Sequence, residues 1–259
     1  MSELQFHQVS FTGAAGINYL AFIHSPATGE TACVDAGDAG TLLAALSDKG
    51  WNLTHLWVTH HHLDHVEGLA AVKASTGCQV IGPKHQSQPI AGLDVLVEEG
   101  DSFEFGGQKV EVLQTPGHTL DMVNYYIPSA KTVFTGDTLF SLGCGKIFEG
   151  NPAMMWDSLS KLAALPADTV VYSSHEYTEG NARFAVTVDP DNAALKTRAE
   201  KVFALRAKGK PTVPSLMSEE LATNPFLRAG DTAIRGYLGM ADASDAEVFA
   251  EIRKRKDNF

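Results

Sequence analysis

The apolar segment His55-Leu56-Trp57-Val58 runs directly into Thr59-His60-His61-His62-Leu63-Asp64-His65, and no other stretch constrains this chain so strongly. On an extended backbone alternate side chains point the same way, so His60 and His62 can converge on one point while His61 faces elsewhere. A chain that turns into a helix at this point projects Asp64 and His65 from the first turn, within reach of a second point a few ångströms away. Neutral imidazole and carboxylate are the donors that suit zinc, and also iron or manganese.

One loop cannot complete such a site, so the fold must deliver further donors to it. Three more segments have the required form, an apolar strand with a polar residue at its end. Gln114-Thr115-Pro116-Gly117-His118-Thr119 sets a histidine on a Pro-Gly turn. Val133-Phe134-Thr135-Gly136-Asp137-Thr138 sets an aspartate, and Val170-Val171-Tyr172-Ser173-Ser174-His175-Glu176 sets another histidine. Loops clustered at the ends of a rigid scaffold are where function usually sits. A lone histidine in such a turn is more often a hydrogen-bonded structural residue, but the four segments together point to a metal centre. His7, His24, His55, His61 and His85 lack this pattern and read as structural, as do Cys33, Cys78 and Cys144.

The scaffold reads as layered α/β. Short segments rich in Val, Ile, Phe and Tyr predict strands over roughly 4–11, 18–25, 30–35, 54–59, 79–82, 109–114, 122–127, 131–135 and 169–173. Between them, Ala39 to Lys49 and Ala153 to Leu165 have helical periodicity, the first stopping at Gly50. Beyond about residue 176 the pattern is helical: Asn192 to Lys208, a short helix to Ala222 with Ser215 as its N-cap, and Asp245 to Lys256. The expected division is an α/β domain over 1–175 and a small helical domain over 176–259.

Composition narrows the function. A formal charge of −11 opposes nucleic-acid binding but still permits a local basic pocket for a small anion. No apolar run is long enough to span a bilayer, and MSELQFHQVSF lacks the features of a secretory signal. Three widely spaced cysteines without a CxxC pair agree with a cytoplasmic location.

The order HxHxDH, TPGHT, GDT and a late histidine resembles the metallo-β-lactamase superfamily, whose fold is an αββα sandwich. That resemblance implies that His60, His62 and His118 bind one metal, that Asp64, His65 and His175 bind a second, and that Asp137 bridges both. Asp64 and Asp137 are then the catalytic carboxylates, acting as ligands first. Asp35, in Val34-Asp35-Ala36-Gly37, matches a supporting aspartate at a strand end. The implied cofactors are two divalent ions per chain, zinc foremost, with iron or manganese as alternatives.

Within the superfamily the chain is similar to glyoxalase II, the hydroxyacylglutathione hydrolases, over nearly its full length. The segments that carry this are Thr135-Gly136-Asp137-Thr138-Leu139-Phe140, Gly143-Cys144-Gly145-Lys146, Phe148-Glu149-Gly150, His175-Glu176-Tyr177-Thr178, Asn224-Pro225-Phe226-Leu227-Arg228 and Arg253-Lys254-Arg255-Lys256-Asp257. The resemblance implies a thioester hydrolase that converts S-(2-hydroxyacyl)glutathione to glutathione and a 2-hydroxy acid by a metal-bridging hydroxide, the second step of methylglyoxal detoxification. It implies that Lys146, Tyr177, Arg253 and Lys256 hold the glutathione moiety. The family often has tyrosine where this chain has Phe148, so Phe148 is expected at the same subsite without a hydroxyl contact. Val66-Glu67-Gly68 is a second departure, placed where the family often has two glycines. The expected partner is a small-molecule substrate, with no nucleic acid and no membrane, for a monomer or weak homo-oligomer. A persulfide dioxygenase of the same fold is the rival reading, opposed by the NPFLR segment and the RxxK pair at 253–256.

Overall fold

The computed structural model describes residues 3–85 and 87–259, and they divide into two compact units. One consists of the chain up to Gln114 together with Leu120–Gly136; the other consists of Thr115–Thr119 and Asp137–Phe259.

The first unit contains two sheets and their helices. Strands β1 (Gln5–Gly13), β2 (Gly16–His24) and β3 (Thr31–Val34) are antiparallel neighbours. Helix α1 (Ala39–Lys49) leads to β4 (His55–Trp57), and α2 (Leu63–Val66) and α3 (Leu69–Thr76) lead to β5 (Gln79–Pro83) and β6 (Val95–Val97). From β3 to β6 the pairing is parallel, with helices crossing over from β3 to β4 and from β4 to β5. The second sheet orders β7 (Ser102–Phe105), β8 (Gln108–Gln114), β9 (Val123–Ile127) and β10 (Thr132–Gly136) as an antiparallel run.

Residues of α1 and α3, among them Leu42, Leu46, Leu69 and Val72, bury themselves with Phe22, Cys33, Leu56 and Val80 of the first sheet. Between the sheets Trp57 is fully buried, with Phe103, Phe105, Tyr125 and Phe134 rings 5.2–6.1 Å from it. Tyr125 satisfies its own hydroxyl by donating to the Val58 carbonyl at 2.7 Å. This layer anchors β4, and truncating Trp57 to alanine would cost about 3–5 kcal/mol. Asp38 begins α1 by accepting from the Thr41 N–H, and Gly50 ends it at φ 67°, where a residue without Cβ is favoured.

The second unit opens with a two-stranded hairpin, β11 (Leu139–Phe140) and β12 (Gly143–Cys144), followed by α4 (Pro152–Ala163). Strand β13 (Val170–Ser173) precedes α5 (Thr178–Val188) and α6 (Ala193–Arg206). Strand β14 (Ser215–Leu216) pairs antiparallel with β13, and α7 (Met217–Thr223), α8 (Thr232–Leu238) and α9 (Asp245–Asp257) complete the unit. Ser215 is therefore a strand residue and not the N-cap expected from its side chain: it pairs with Val171, and Leu216 occupies the cap position. The capping expected of a helix start appears at α9, where Ser244 and Glu247 bond reciprocally.

All three cysteines are free and buried, with burial raising the thiol pKa of each. Among the described residues, no helix is long and apolar enough to cross a membrane.

Candidate metal centre

In the first unit, β4 hands the chain to a histidine-bearing loop, and His62 caps α2 with φ −59° and ψ 143°. His60 Nε2 and His62 Nδ1 lie 3.1 Å apart, so the two imidazoles do converge. His61 turns away, its Nδ1 lying 3.0 Å from the Asp121 carboxylate and 3.2 Å from the Ser87 hydroxyl.

Asp35 organises this loop from beneath. Its carboxylate accepts the His65 Nδ1 hydrogen at 2.7 Å, the Thr59 hydroxyl at 2.9 Å and the Thr59 amide at 2.8 Å. Because the single Thr59 hydroxyl proton goes to Asp35, its oxygen accepts from His60 Nδ1 at 3.0 Å. Both His60 and His65 are thereby left with an Nε2 lone pair facing away from the support. Asn18, buried within the apolar strand β2, donates to the Asp64 carboxylate at 3.1 Å. Sequence reading missed Asn18 and Thr59, although a buried amide in an otherwise apolar strand is the kind of signal that marks such a residue.

The second unit brings His118, Asp137 and His175 together. His118 donates its Nδ1 hydrogen to the Lys146 carbonyl at 2.7 Å, which leaves the Nε2 lone pair as the atom that can coordinate a metal. That Nε2 is 3.4 Å from Asp137 Oδ2, and His175 Nε2 is 3.2 Å from the same oxygen. Gly117, at φ 149°, precedes His118 where any Cβ would meet Met155 of α4 at 2.8 Å. Gly145 is required for another reason: a Cβ there would lie 2.0 Å from the Asp137 carbonyl oxygen.

Donor spacing tests the fit of a metal to these residues. With metal–nitrogen bonds of about 2.0–2.1 Å, donors at the corners of a tetrahedron are about 3.3 Å apart. The separations of 3.1, 3.2 and 3.4 Å within each unit match that edge. The buried imidazoles of His60, His65 and His118, each with Nδ1 already committed, fit a divalent cation, and among the described residues histidine and aspartate form groups that could hold one.

The side chains expected to hold glutathione all lie in the second unit. Lys146 is exposed, with its ammonium 5.6 Å over the Phe148 ring, and Phe148 is 61 % exposed, edge-on to His118 at 5.2 Å. Tyr177 stacks flat on His175 at 4.7 Å. Arg253 is buried against the Phe226 ring, donating to the Cys144 carbonyl and to Asp257 at 3.1 and 3.0 Å. Lys256 donates to the Gly180 carbonyl at 3.1 Å, and burial, with the nearby Arg253 charge, lowers its pKa.

Comparison with known proteins matches residues 23–175 to the metallo-beta-lactamase superfamily and residues 176–259 to the hydroxyacylglutathione hydrolase C-terminus. The hydroxyacylglutathione hydrolase of Brucella anthropi is 57 % identical over 242 residues, covering 93 % of both chains. That of Brucella ovis is 55 % identical, covering 93 % of this chain and 94 % of its own. Among solved structures, ETHE1 from Myxococcus xanthus superposes with a TM-score of 0.69 at 26 % identity, covering 96 % of this chain and 90 % of that one.

Proposed function

The chain belongs to the metallo-beta-lactamase superfamily and within it to the hydroxyacylglutathione hydrolases, and from that membership we propose that it hydrolyses S-(2-hydroxyacyl)glutathione thioesters such as S-D-lactoylglutathione. The products are glutathione and a 2-hydroxy acid, D-lactate in that case, which is the second step of methylglyoxal detoxification. The observation that carries this is the likeness, over 93 % of the chain, to enzymes of that name, together with the match of the helical segment 176–259.

The enzyme binds divalent metal. The number and arrangement of ions are our reading: two ions, zinc foremost, with His60, His62 and His118 on one, Asp64, His65 and His175 on the other, and Asp137 shared. Bound divalent ions supply a hydroxide nucleophile near neutral pH and Lewis acidity at the thioester carbonyl. The protein's part is orientation. Asp35, Thr59 and the Lys146 carbonyl hold imidazoles in the tautomer that leaves Nε2 available. Thiolate is a good leaving group, so departure of glutathione requires no dedicated general acid.

Residues 1–175 form the catalytic domain in this reading, and 176–259 bind glutathione. In the same reading Lys146 and Lys256 meet the carboxylates of the tripeptide, with Tyr177, Arg253 and Phe148 completing the subsite. That basic patch reconciles a net acidic protein with an anionic substrate. A cytoplasmic location and a monomer or weak homo-oligomer complete the proposal.

The test is thiol release from S-D-lactoylglutathione by purified protein, beside the same acyl group on a thiol lacking the glutathione carboxylates. Strong preference for the glutathione ester is expected. Equal rates would reject the glutathione assignment, and no hydrolysis of either would reject the thioesterase.

A further inference from the structure

Hairpin β11–β12 links the residues just described. It starts two residues after Asp137, and the chain leaving it is Gly145-Lys146, whose Lys146 carbonyl fixes His118. Gly145 returns a backbone bond to the Thr138 carbonyl at 3.1 Å. Phe140, at the hairpin's first strand, sets its ring edge-on against both His175 at 5.8 Å and Tyr177 at 5.3 Å. One short hairpin therefore touches or adjoins each donor that the second unit supplies.

The hairpin is buried throughout, yet two-residue strands satisfy few of their own backbone groups. Side chains from distant helices do the rest. Asn224, just after α7 and fully buried, donates its amide to the Phe140 carbonyl at 3.2 Å and the Gly143 carbonyl at 3.0 Å. Glu220 of α7, also fully buried, accepts the Leu142 amide at 2.9 Å, and Leu142 holds φ 57°, an unfavourable angle for leucine. Arg198 of α6 pairs with Glu220, and Asn224 donates to the same carboxylate at 3.1 Å. Asn181 of α5 donates to the Ser141 carbonyl at 3.1 Å. The tip is thus held in a strained turn by a buried polar network with few other functions open to it.

We propose that Asn224 and Glu220 are positioning residues for the metal centre, setting the hairpin from behind so that the Lys146 carbonyl and Phe140 hold His118 and His175 in place. Neither residue lies among the expected metal ligands or glutathione contacts. The inference rests on the metal-site reading above. It gives Asn224, within the 176–259 segment, a role at the metal centre exerted through backbone carbonyls of the hairpin.

The experiment compares the parent with Asn224→Ala, and with Asn181→Ala, which removes a single bond to the same hairpin. Zinc affinity is measured by competition with a chromogenic chelator. Cobalt-substituted protein is examined for its visible d–d bands, and kcat and KM are measured with S-D-lactoylglutathione. Asn224→Ala should weaken zinc binding by about tenfold or more and shift the cobalt bands, with kcat falling more than KM rises. Asn181→Ala should shift in the same direction by less. A lower melting temperature with zinc affinity and cobalt spectrum unchanged in either folded variant would overturn the proposal, because a purely structural residue behaves that way. If Asn224→Ala does not fold, Asn181→Ala decides by the same readouts. Parent protein that binds no zinc or cobalt would instead overturn the metal-site reading itself.

Discussion

His65 Nδ1 donates to the Asp35 carboxylate at 2.7 Å, and through Thr59 the same carboxylate also sets the tautomer of His60. One buried acid thereby orients two imidazoles, from a backbone at φ 60° that aspartate and asparagine tolerate better than most residues. Asp35→Asn should therefore fold but lose about 10–100-fold in metal affinity or activity. Circular dichroism and chelator competition check both halves of that expectation; unchanged affinity would remove Asp35 from the support of the site.

Asp137 lies within 3.4 Å of both His118 and His175 nitrogens. The donors named for the centre exceed the four that a tetrahedral ion takes, so we expect about two metal ions per purified chain. Asp137→Ala should lose at least one of them and most activity. Elemental analysis finding one tightly held ion in fully active parent protein would contradict the binuclear arrangement.

Gly145→Ala places a methyl 2.0 Å from the Asp137 carbonyl oxygen, an approach only backbone movement can relieve. Overpacking of this kind costs about 1–3 kcal/mol. The displaced backbone carries both Asp137 and Lys146. A lower melting temperature with reduced metal content is expected; normal values of both would mean that the segment can shift freely.

Burial and the Arg253 charge lower the pKa of Lys256, so its ammonium loses its proton at lower pH than an exposed lysine would. If it binds a glutathione carboxylate, KM for acylglutathione should climb as pH rises through that lowered pKa, while kcat holds. Lys256→Ala should raise KM at neutral pH, by the equivalent of about 1.5–3 kcal/mol, and flatten the pH dependence. A thioester lacking the glutathione carboxylates is the control and should respond to neither. Arg253→Ala is expected to raise KM too, but it also strips the Cys144 carbonyl of a donor, so Lys256 is the cleaner probe.

Phe148 is 61 % exposed beside His118, so a hydroxyl added there would not be buried without a partner. Phe148→Tyr should leave the melting temperature unchanged. If the ring faces the glutathione backbone, the new hydroxyl contributes about 0.5–1.5 kcal/mol, lowering KM about two- to tenfold without altering kcat. A KM equal to that of the parent would place the residue outside the subsite.

What the sequence disclosed follows from the range of the forces involved. Helix α1 spans Ala39–Lys49 as its periodicity and Gly50 predict, because cap and stripe are both local. The convergence of His60 with His62, and the outward turn of His61, follow from strand alternation carried just past β4. Helix α5 escaped notice because small or polar Thr178, Asn181, Ala182 and Ala185 share its buried face with Phe184 and Val188, so no continuous apolar stripe registers. Strands β6 and β7, at three and four residues, are too short for a period of two to stand out. The hairpin's support was invisible for a different reason: Asn224 and Phe140 are separated by 84 residues, and nothing local to either predicts their meeting.

The buried cysteines have a consequence for an enzyme that handles activated acyl groups. Transfer of an acyl group from one sulfur to another needs an accessible thiolate. Cys144 lies close along the chain to Lys146, yet burial pushes its thiol up to about 11, against the opposing pull of Arg253. Burial raises the Cys33 and Cys78 thiols as well. Acyl transfer to a cysteine of the protein itself is therefore disfavoured, because none of the three thiols is both exposed and readily ionised.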